Sequence, residues 1–482
     1  MKSLSTLLAT MLVIIASFLL FASCSHENFD KVAPTAPAEF SSAERIPAAS
    51  AVDDAIWASR INKNFEQIAP TKFSSAQRLS AATLTAAPIY TVTDLGTLGG
   101  PSSFAFAINS SGQIVGTAML ANGTLHPFLY KNGQLIDLGT LGGNAGIASD
   151  INDVGEIIGQ ADNAQGIRRA FLYRNGVMTE IGTLGGFESR ASGINASGSI
   201  IGSASTAANA RHAFLYENSQ MFDLGTLGGT TSWANEINTS GQIVGGSHTP
   251  PDERWHAYLR DHGVMTDLGT LGGRQSVAFD LNDAGQVVGW SDVAGTGPFH
   301  AVLWNNGVIT DLGTFSGQSL ASAINNSGQV VGYSYTAENR QHAFLHSSGV
   351  MQDLNNLIPA DSGWELTYGS GITDDGQKII GWGLINGQSH AFLLTLSPSL
   401  MIGNLIDLVL SFNLHKGIEN SLIVKLEHAQ DALAADDITG ACNHLTAFIN
   451  EVNAQAGKKL TLDQANQLIS GANQIKTALG CQ

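Results

Sequence analysis

The segment Asp223-Leu-Gly-Thr-Leu-Gly-Gly229 recurs along this chain almost like clockwork. Counterparts start at Asp94, Asp137, Glu180, Asp267 and Asp311, with a worn copy at Asp353, in steps of 43, 43, 43, 44, 44 and 42 residues. Two further signatures keep the same phase, Ile237-Asn-Thr-Ser-Gly-Gln-Ile-Val-Gly245 and His212-Ala-Phe-Leu-Tyr216. A period in the low forties with a turn signal about every ten residues marks four-stranded propeller blades. One unit reads as four strands of about five to seven residues. In it, Ser232–Asn238 and Gln242–Ser247 flank an Asn-x-x-Gly turn, and a longer, less regular loop follows. His256–Arg260 and Val264–Leu268 flank a turn at Gly263. No unit carries a long helical period, which sets helical solenoids aside.

The ends of the array argue for closure. It opens on a lone fourth strand, Tyr90–Leu95, and stops on a third strand, His390–Leu394. An open β-solenoid, the alternative, would leave two edges free to pair with other chains. A ring in which the first strand completes the last blade removes both edges. The expected fold is therefore an all-β seven-bladed propeller over 89–396, followed by a small all-α bundle over 397–482.

The repeated residues resemble the HAF-repeat family of bacterial extracellular proteins. His212-Ala-Phe214, His342-Ala-Phe344 and His390-Ala-Phe392 match its name motif; His126-Pro-Phe128, Arg169-Ala-Phe171, His256-Ala-Tyr258 and His300-Ala-Val302 are variants. The resemblance implies an exported β-rich repeat protein and no particular activity.

Residues 1–23 read as an export signal, with Lys2 ahead of an apolar run, Leu7–Phe21, too short to favour a membrane span. Phe21-Ala-Ser-Cys24 resembles a lipobox, with Phe21 where Leu is usual, so Cys24 is the expected lipidation site and membrane anchor. Ordinary cleavage and free secretion is the alternative. Ser25 is not the Asp that retains many such lipoproteins at the inner membrane, and the resemblance favours an outer-membrane anchor over a periplasmic or secreted state. Residues 24–88, rich in Ala, Ser and Pro, read as a tether. Within it, Val52, Ile56, Ile61, Phe65 and Ile68 are spaced for one amphipathic helix, lying on the propeller's side or binding a partner.

After Ser397 the period becomes helical: Leu405, Ile406, Val409 and Leu410; then Leu422, Leu426, Ala429 and Leu433; then Leu445, Phe448, Ile449 and Val452, ended by Gly457. Thr461-Leu-Asp-Gln464 is a capping box for a fourth helix. Gly417-Ile-Glu-Asn-Ser-Leu422, Ala447-Phe-Ile-Asn450 and Leu460-Thr-Leu-Asp-Gln-Ala465 resemble the FIMAH-type helical module of exported bacterial proteins. With Cys24 lipidated, Cys442 and Cys481 remain as a disulfide pair for an oxidising compartment.

A formal charge of −17 with only 23 basic residues disfavours nucleic acid and anionic lipid surfaces as partners. Gly-Thr-Leu-Gly-Gly has neither the lysine of a phosphate loop nor a following helix, so it reads as the crossing from one blade to the next. The six third-strand histidines, one per blade, read as hydrogen-bonded to a neighbouring loop rather than as a metal ring. The acidic turns at Asn152, Asn282 and Thr373 lack a full calcium ligand series. No nucleophile elbow, His-Glu-x-x-His or cofactor motif appears, and no cofactor, metal or catalytic residue is assigned.

Antiparallel strands place the second-to-third loops on the same face as the crossings. These loops differ most between units, and a rigid ring presenting divergent loops suits recognition. Asp252, Arg254, Trp255, Trp290, Tyr333, Tyr335, Arg340 and Trp382 gather there as candidate ligand residues for a glycan or an extracellular protein. The competing reading packs those rings between blades. The sequence thus points to a monomeric, non-catalytic surface-binding or adhesion protein. An envelope scaffold and a carbohydrate-active enzyme are the alternatives.

Overall fold

The computed structural model describes residues 89–295 and 297–481. The export signal, Cys24, the tether and the helix expected near 52–68 lie outside the described residues. The repeats fold into seven four-stranded antiparallel sheets. The ring closes as the ends of the array imply. Tyr90–Asp94 pairs with Gln388–Leu396 in the register Tyr90↔Leu396, Val92↔Leu394 and Asp94↔Phe392, completing the seventh blade.

Strand lengths depart from the even five to seven expected. The first strand of four blades has ten residues, as in Gly99–Ile108, whereas fourth strands such as Gln134–Asp137 have four. The last two glycines of the crossing belong to the first strand. Gly99 holds φ 97°, and a Cβ on Gly100 would sit 2.6 Å from the Leu120 carbonyl oxygen, so only glycine lets the crossing lie on the outgoing second strand. The short outer strand limits the one edge each blade leaves open.

Every first strand carries a β-bulge at one equivalent place. In the first blade Ala105 faces Gly116 and Ala107 faces Val115, so Phe106 is the inserted residue of the bulge. The bulge position in the other blades is Ser149, Ser192, Asn235, Phe279, Ser322 and Ser370. Four of these reach the next blade's backbone: Ser192 Oγ donates to Ala234 O, Asn235 Nδ2 to Ala278 O, Ser322 Oγ to Gly369 O and Ser370 Oγ to Ala105 O.

Two further ladders stitch the seams, and they account for the repeated sequence. The turn asparagine is buried in every blade that has it. Its Oδ1 accepts a backbone N–H of its own turn, as from Gln113 N to Asn109. Its Nδ2 donates to the carbonyl of the equivalent residue one blade on: Asn109 to Asn152, Asn152 to Asn195, Asn195 to Asn238, Asn238 to Asn282, Asn282 to Asn325 and Asn325 to Thr373. The residue read as a turn former is therefore also the bond between neighbouring blades. A full pair of hydrogen bonds keeps a buried amide from destabilising the fold.

The second ladder uses a fully buried serine near the start of the first strand. Ser103 Oγ donates to Gly96 O at 2.6 Å and accepts the N–H of Ala391, the Ala of the preceding blade's His-Ala-Phe run, at 2.9 Å. Ser189, Ser232, Ser276 and Ser319 repeat the arrangement with Ala170, Ala213, Ala257 and Ala301. At the first-to-second seam the third strand has Pro127, which lacks an N–H, and the facing residue is Gly146 instead of Ser. A Cβ on Gly146 would meet Pro127 Cδ at 3.0 Å. The two departures compensate each other.

The C-terminal residues form four helices: α1 (Pro398–Ser411), α2 (Lys416–Ala434), α3 (Ile438–Gln455) and α4 (Leu462–Ala478). Ser397 caps α1 ahead of Pro398, and Thr461 with Gln464 forms the capping box of α4. Leu405, Leu422, Leu426, Leu445, Phe448, Leu468 and Ile475 fill the bundle, and this core runs on into Leu366, Leu394 and Leu396 of the seventh blade. Cys442 and Cys481 form a disulfide over a sequence separation of 39.

Two outcomes follow. Pro127→Ala leaves a buried N–H unpaired and should cost about 1–3 kcal/mol. Gly146→Ser alone meets the proline ring. The double variant should return to within about 1 kcal/mol of the parent, a coupling that denaturant melts of all four proteins measure. Cys442→Ser should destabilise the bundle by about 4 kcal/mol on the loop-entropy argument, read as a lower calorimetric midpoint.

Candidate functional site

The third-strand histidines line the crossing face, at the start of their strands. Each places Nδ1 on the carboxylate that ends the adjacent fourth strand: His126 on Asp137 at 2.9 Å, His212 on Asp223 at 2.8 Å, His256 on Asp267 at 2.7 Å, His300 on Asp311 at 2.8 Å, His342 on Asp353 at 2.6 Å and His390 on Asp94 at 2.8 Å. The partner is thus a strand-end carboxylate of the same blade rather than a neighbouring loop. The same aspartate accepts the N–H of the glycine two residues on, as Asp137 does from Gly139, and so shapes the entry to the crossing. Where Arg169 replaces the histidine, Glu180 replaces the aspartate, and the longer pair closes at 3.2 Å. These side chains are committed to holding the outer strand.

Crossings and second-to-third connections do share one face. The Cβ positions of Gly99, Gly142 and Gly185 lie 3.7, 3.5 and 3.3 Å from the side chains of Ala121, Ala164 and Ala207 in those connections. The connections are shorter than the sequence suggested. The second strand of the second blade runs to Asn163 and the third restarts at Arg168, so Ala164–Ile167 alone forms the turn. Backbone pairing continues through polar residues here because the ladder needs only N–H and C=O groups, and Arg168 with Asp162 forms an ion pair across the two strands.

The candidate aromatics are brought together, but largely inward. Trp255, Trp290 and Tyr333 are only 7%, 7% and 3% exposed, so they offer no free face to a ligand. Trp255 packs edge-on to Trp233 and against the His248 ring, Trp290 against Phe299, and Tyr333 between Tyr335 and Tyr368. Trp382 stacks on Tyr368 at 4.1 Å and meets Phe104 and Phe106 of the first blade edge-on. The second-strand register explains the packing. Thr117, Gln160, Ser203, Gly246, Trp290, Tyr333 and Trp382 are equivalent positions. In the fourth blade Gly246 leaves room for Trp233, whose ring its Cβ would meet at 2.4 Å. The large rings therefore fill the space between diverging sheets in the later blades. Asp252, Arg254 and Arg340 stay at the surface, with Tyr335 and Trp382 half-buried. Arg254 pairs with Asp252 at 3.0 Å, and Arg340 bridges to Glu365 of the next blade.

Three innermost-strand carboxylates escaped the sequence reading: Asp150, Glu236 and Asp280. They occupy one repeat position whose other occupants are Ala107, Gly193, Ala323 and Gly371. Asp150 accepts from Ile151 N and, across the seam, Ile194 N; Asp280 accepts from Leu281 N and Ile324 N; Glu236 accepts from Ile237 N. The small residues opposite make room for this reach. Burial pushes Asp150 up to about 6 and Asp280 up to about 7, against the backbone bonds that favour ionisation. Glu236 is raised well above the ordinary range by burial and by the charges of Asp150 and Asp280. The signal available in the sequence was an acid in a column otherwise held by Ala and Gly. Among the described residues no group of three or more His, Cys, Asp or Glu is placed to hold a metal ion.

No protein-family model and no curated protein matches the chain. Solved structures do resemble it. An oligogalacturonate lyase from Vibrio parahaemolyticus superposes with a TM-score of 0.44 at 10% identity, over 63% of this chain and 93% of that one. An oligogalacturonate lyase in complex with manganese gives 0.43 at 12%, over 65% and 95%. TolB from Acinetobacter baumannii gives 0.36 at 12%, over 59% and 64%. At these identities the likeness concerns the fold alone.

The raised carboxylates set a pH dependence. Their folded pKa values exceed the unfolded ones, so the native state binds extra protons as pH falls through 7 and 6, and stability rises in that direction. His342, raised to about 9 by its hydrogen bond to Asp353 and the nearby Glu365 carboxylate, contributes stability that is complete below its unfolded pKa and is lost as pH rises through 9. Both act with the same sign. The urea midpoint should therefore climb between pH 9 and pH 5.5, with a flatter profile in the double variant Asp280→Asn, Glu236→Gln.

Proposed function

We propose that this is an exported, non-catalytic binding protein of the bacterial cell envelope that presents its crossing face to a glycan or an extracellular protein. One observation carries the reading. The residues that repeat from blade to blade are used up in seams and turns, whereas the residues that vary, Asp252, Arg254, Tyr335 and Arg340 among them, collect on that face. A stiff ring whose invariant positions hold the blades leaves the variable rim as the surface free to specify a partner.

The remaining parts are consistent with it. The HAF-type repeat and the FIMAH-type bundle resemble modules of exported bacterial proteins, the disulfide suits an oxidising compartment, and Cys24 would carry the lipid anchor. No helix among the described residues is long and apolar enough to cross a membrane. A scaffold reading has its own support in the bundle, where Leu462 is 66% exposed at the start of α4.

The test is capture from envelope and polysaccharide extracts by the immobilised full chain. Arg340→Ala and Tyr335→Ala should each weaken capture at least fivefold while circular dichroism shows the fold retained. Capture that ignores both, yet is lost in Leu462→Asp, would transfer the binding role to the bundle and favour the scaffold.

A further inference from the structure

The repeat breaks at several points in the sixth blade, and the structure brings those points to one cleft. Five of the six regular crossings carry Leu at the position where the sixth carries Phe315. After Asp353 the usual Gly-Thr is replaced by Asn355-Asn356, which turns the chain into a short 3-10 helix, Leu354–Asn356. Asp353 caps that turn, accepting from Asn355 N at 2.9 Å. Phe315, Thr336, Gln352, Asp353 and Asn356 line a cleft of about 460 Å3 on the outer side of the crossing face. Thr336 and Ala337 put it on the connection that also carries Tyr335 and Arg340. In repeat proteins, departures that converge on one surface mark the part that does more than hold the array together.

We propose that this cleft binds a single neutral sugar ring of a glycan chain, an inference that rests on the binding reading above and gives it a ligand class and a location. The volume falls at the small end of ligand sites, which run roughly 300–1,000 Å3, and the lining follows their usual make-up of an apolar wall with a few polar groups. Phe315 is half-buried against the core that holds Leu312 and Phe344 and, with Met351, offers the apolar wall for the C–H face of a pyranose. The exposed amides of Gln352 and Asn356 provide donors and acceptors for ring hydroxyls. Asp353 is already held by His342 Nδ1 and by the backbone N–H and side-chain amide of Asn355. Although burial pushes its pKa up, hydrogen bonds from His342 and Asn355 hold the carboxyl below its ordinary range. Its charge is met by His342, and among the described residues no lysine or arginine lines the cleft to hold the carboxylate or sulfate of an acidic sugar.

The experiment uses the full chain on arrays of neutral oligosaccharides, acidic oligosaccharides and extracellular proteins, followed by calorimetric titration of the best neutral oligosaccharide. Phe315→Leu restores the residue found at five equivalent positions, so the fold should tolerate it. It should weaken neutral-sugar binding at least tenfold, Gln352→Ala and Asn356→Ala should each weaken it about threefold or more, and Lys131→Ala, on the opposite face, should leave it unchanged. Neutral-sugar binding that survives Phe315→Leu overturns the site while the broader binding reading stands. Binding confined to acidic oligosaccharides or to proteins overturns the ligand class. Silence on all three arrays removes the binding reading and this inference together.

Discussion

Seven sheets of similar shape tile a circle only if the last one is completed by the chain's own beginning. Tyr90–Asp94 therefore carries more than its five residues suggest: it supplies the outer strand of the seventh blade, in a register fixed by Tyr90 against Leu396. Without that pairing, the outer edge of Gln388–Leu396 would present open N–H and C=O groups beside the apolar surface of Leu394 and Leu396. The same strand fixes the position of the helical bundle. Ile89 O accepts the N–H of Ser397, the cap of α1, and the bundle's core runs on from blade seven. Ring and bundle are in this sense one construction, closed at a single join.

Within the closed ring, stability resides in the seams. A propeller blade alone buries one face poorly; the stack succeeds because each sheet covers the next. Apolar side chains fill the space between sheets, but they do not fix rotation or height. The polar ladders do that, because a hydrogen bond tolerates little displacement. Their distribution explains why the chain is rich in Asn, Ser and Gly at fixed offsets and why charged residues are only 13% of it. The exceptions are as informative as the rule. Pro127 opposite Gly146, and Arg169 opposite Glu180, show paired positions drifting together, as expected where each partner would be costly without the other. The seventh blade departs furthest: Thr373 stands where asparagine would be, and Asn355 bonds the Leu366 backbone on both sides in place of the seam serine.

Much of this was legible. Period, strand count and closure follow from spacing alone, because a repeat unit's length dictates its supersecondary structure and the mismatch between the first and last units dictates how the ends must meet. The four helices and the capping box at Thr461 were equally readable, since helical period and cap chemistry are local. The site was legible only in outline. The shared face of crossings and second-to-third turns follows from strand direction. Burial does not: Trp255, Trp290 and Tyr333 belong to the packing between sheets, because the gap to be filled is a property of the angle between blades. Nor could a linear reading bring Phe315 to Asn356, about forty residues apart, or place Asp150 beside the backbone of Ile194.

The sequence by itself determined the unit, the number of units and the way the circle is joined, since each depends on residues within a few positions or on plain counting. Tertiary structure decided what each repeated side chain is for. An asparagine that looks like a turn former is a clasp to the next blade, and a histidine expected to bond a neighbouring loop is a brace for the outer strand. That difference arises because hydrogen-bond partners one blade away lie about 43 residues off in the chain yet about 3 Å off in space.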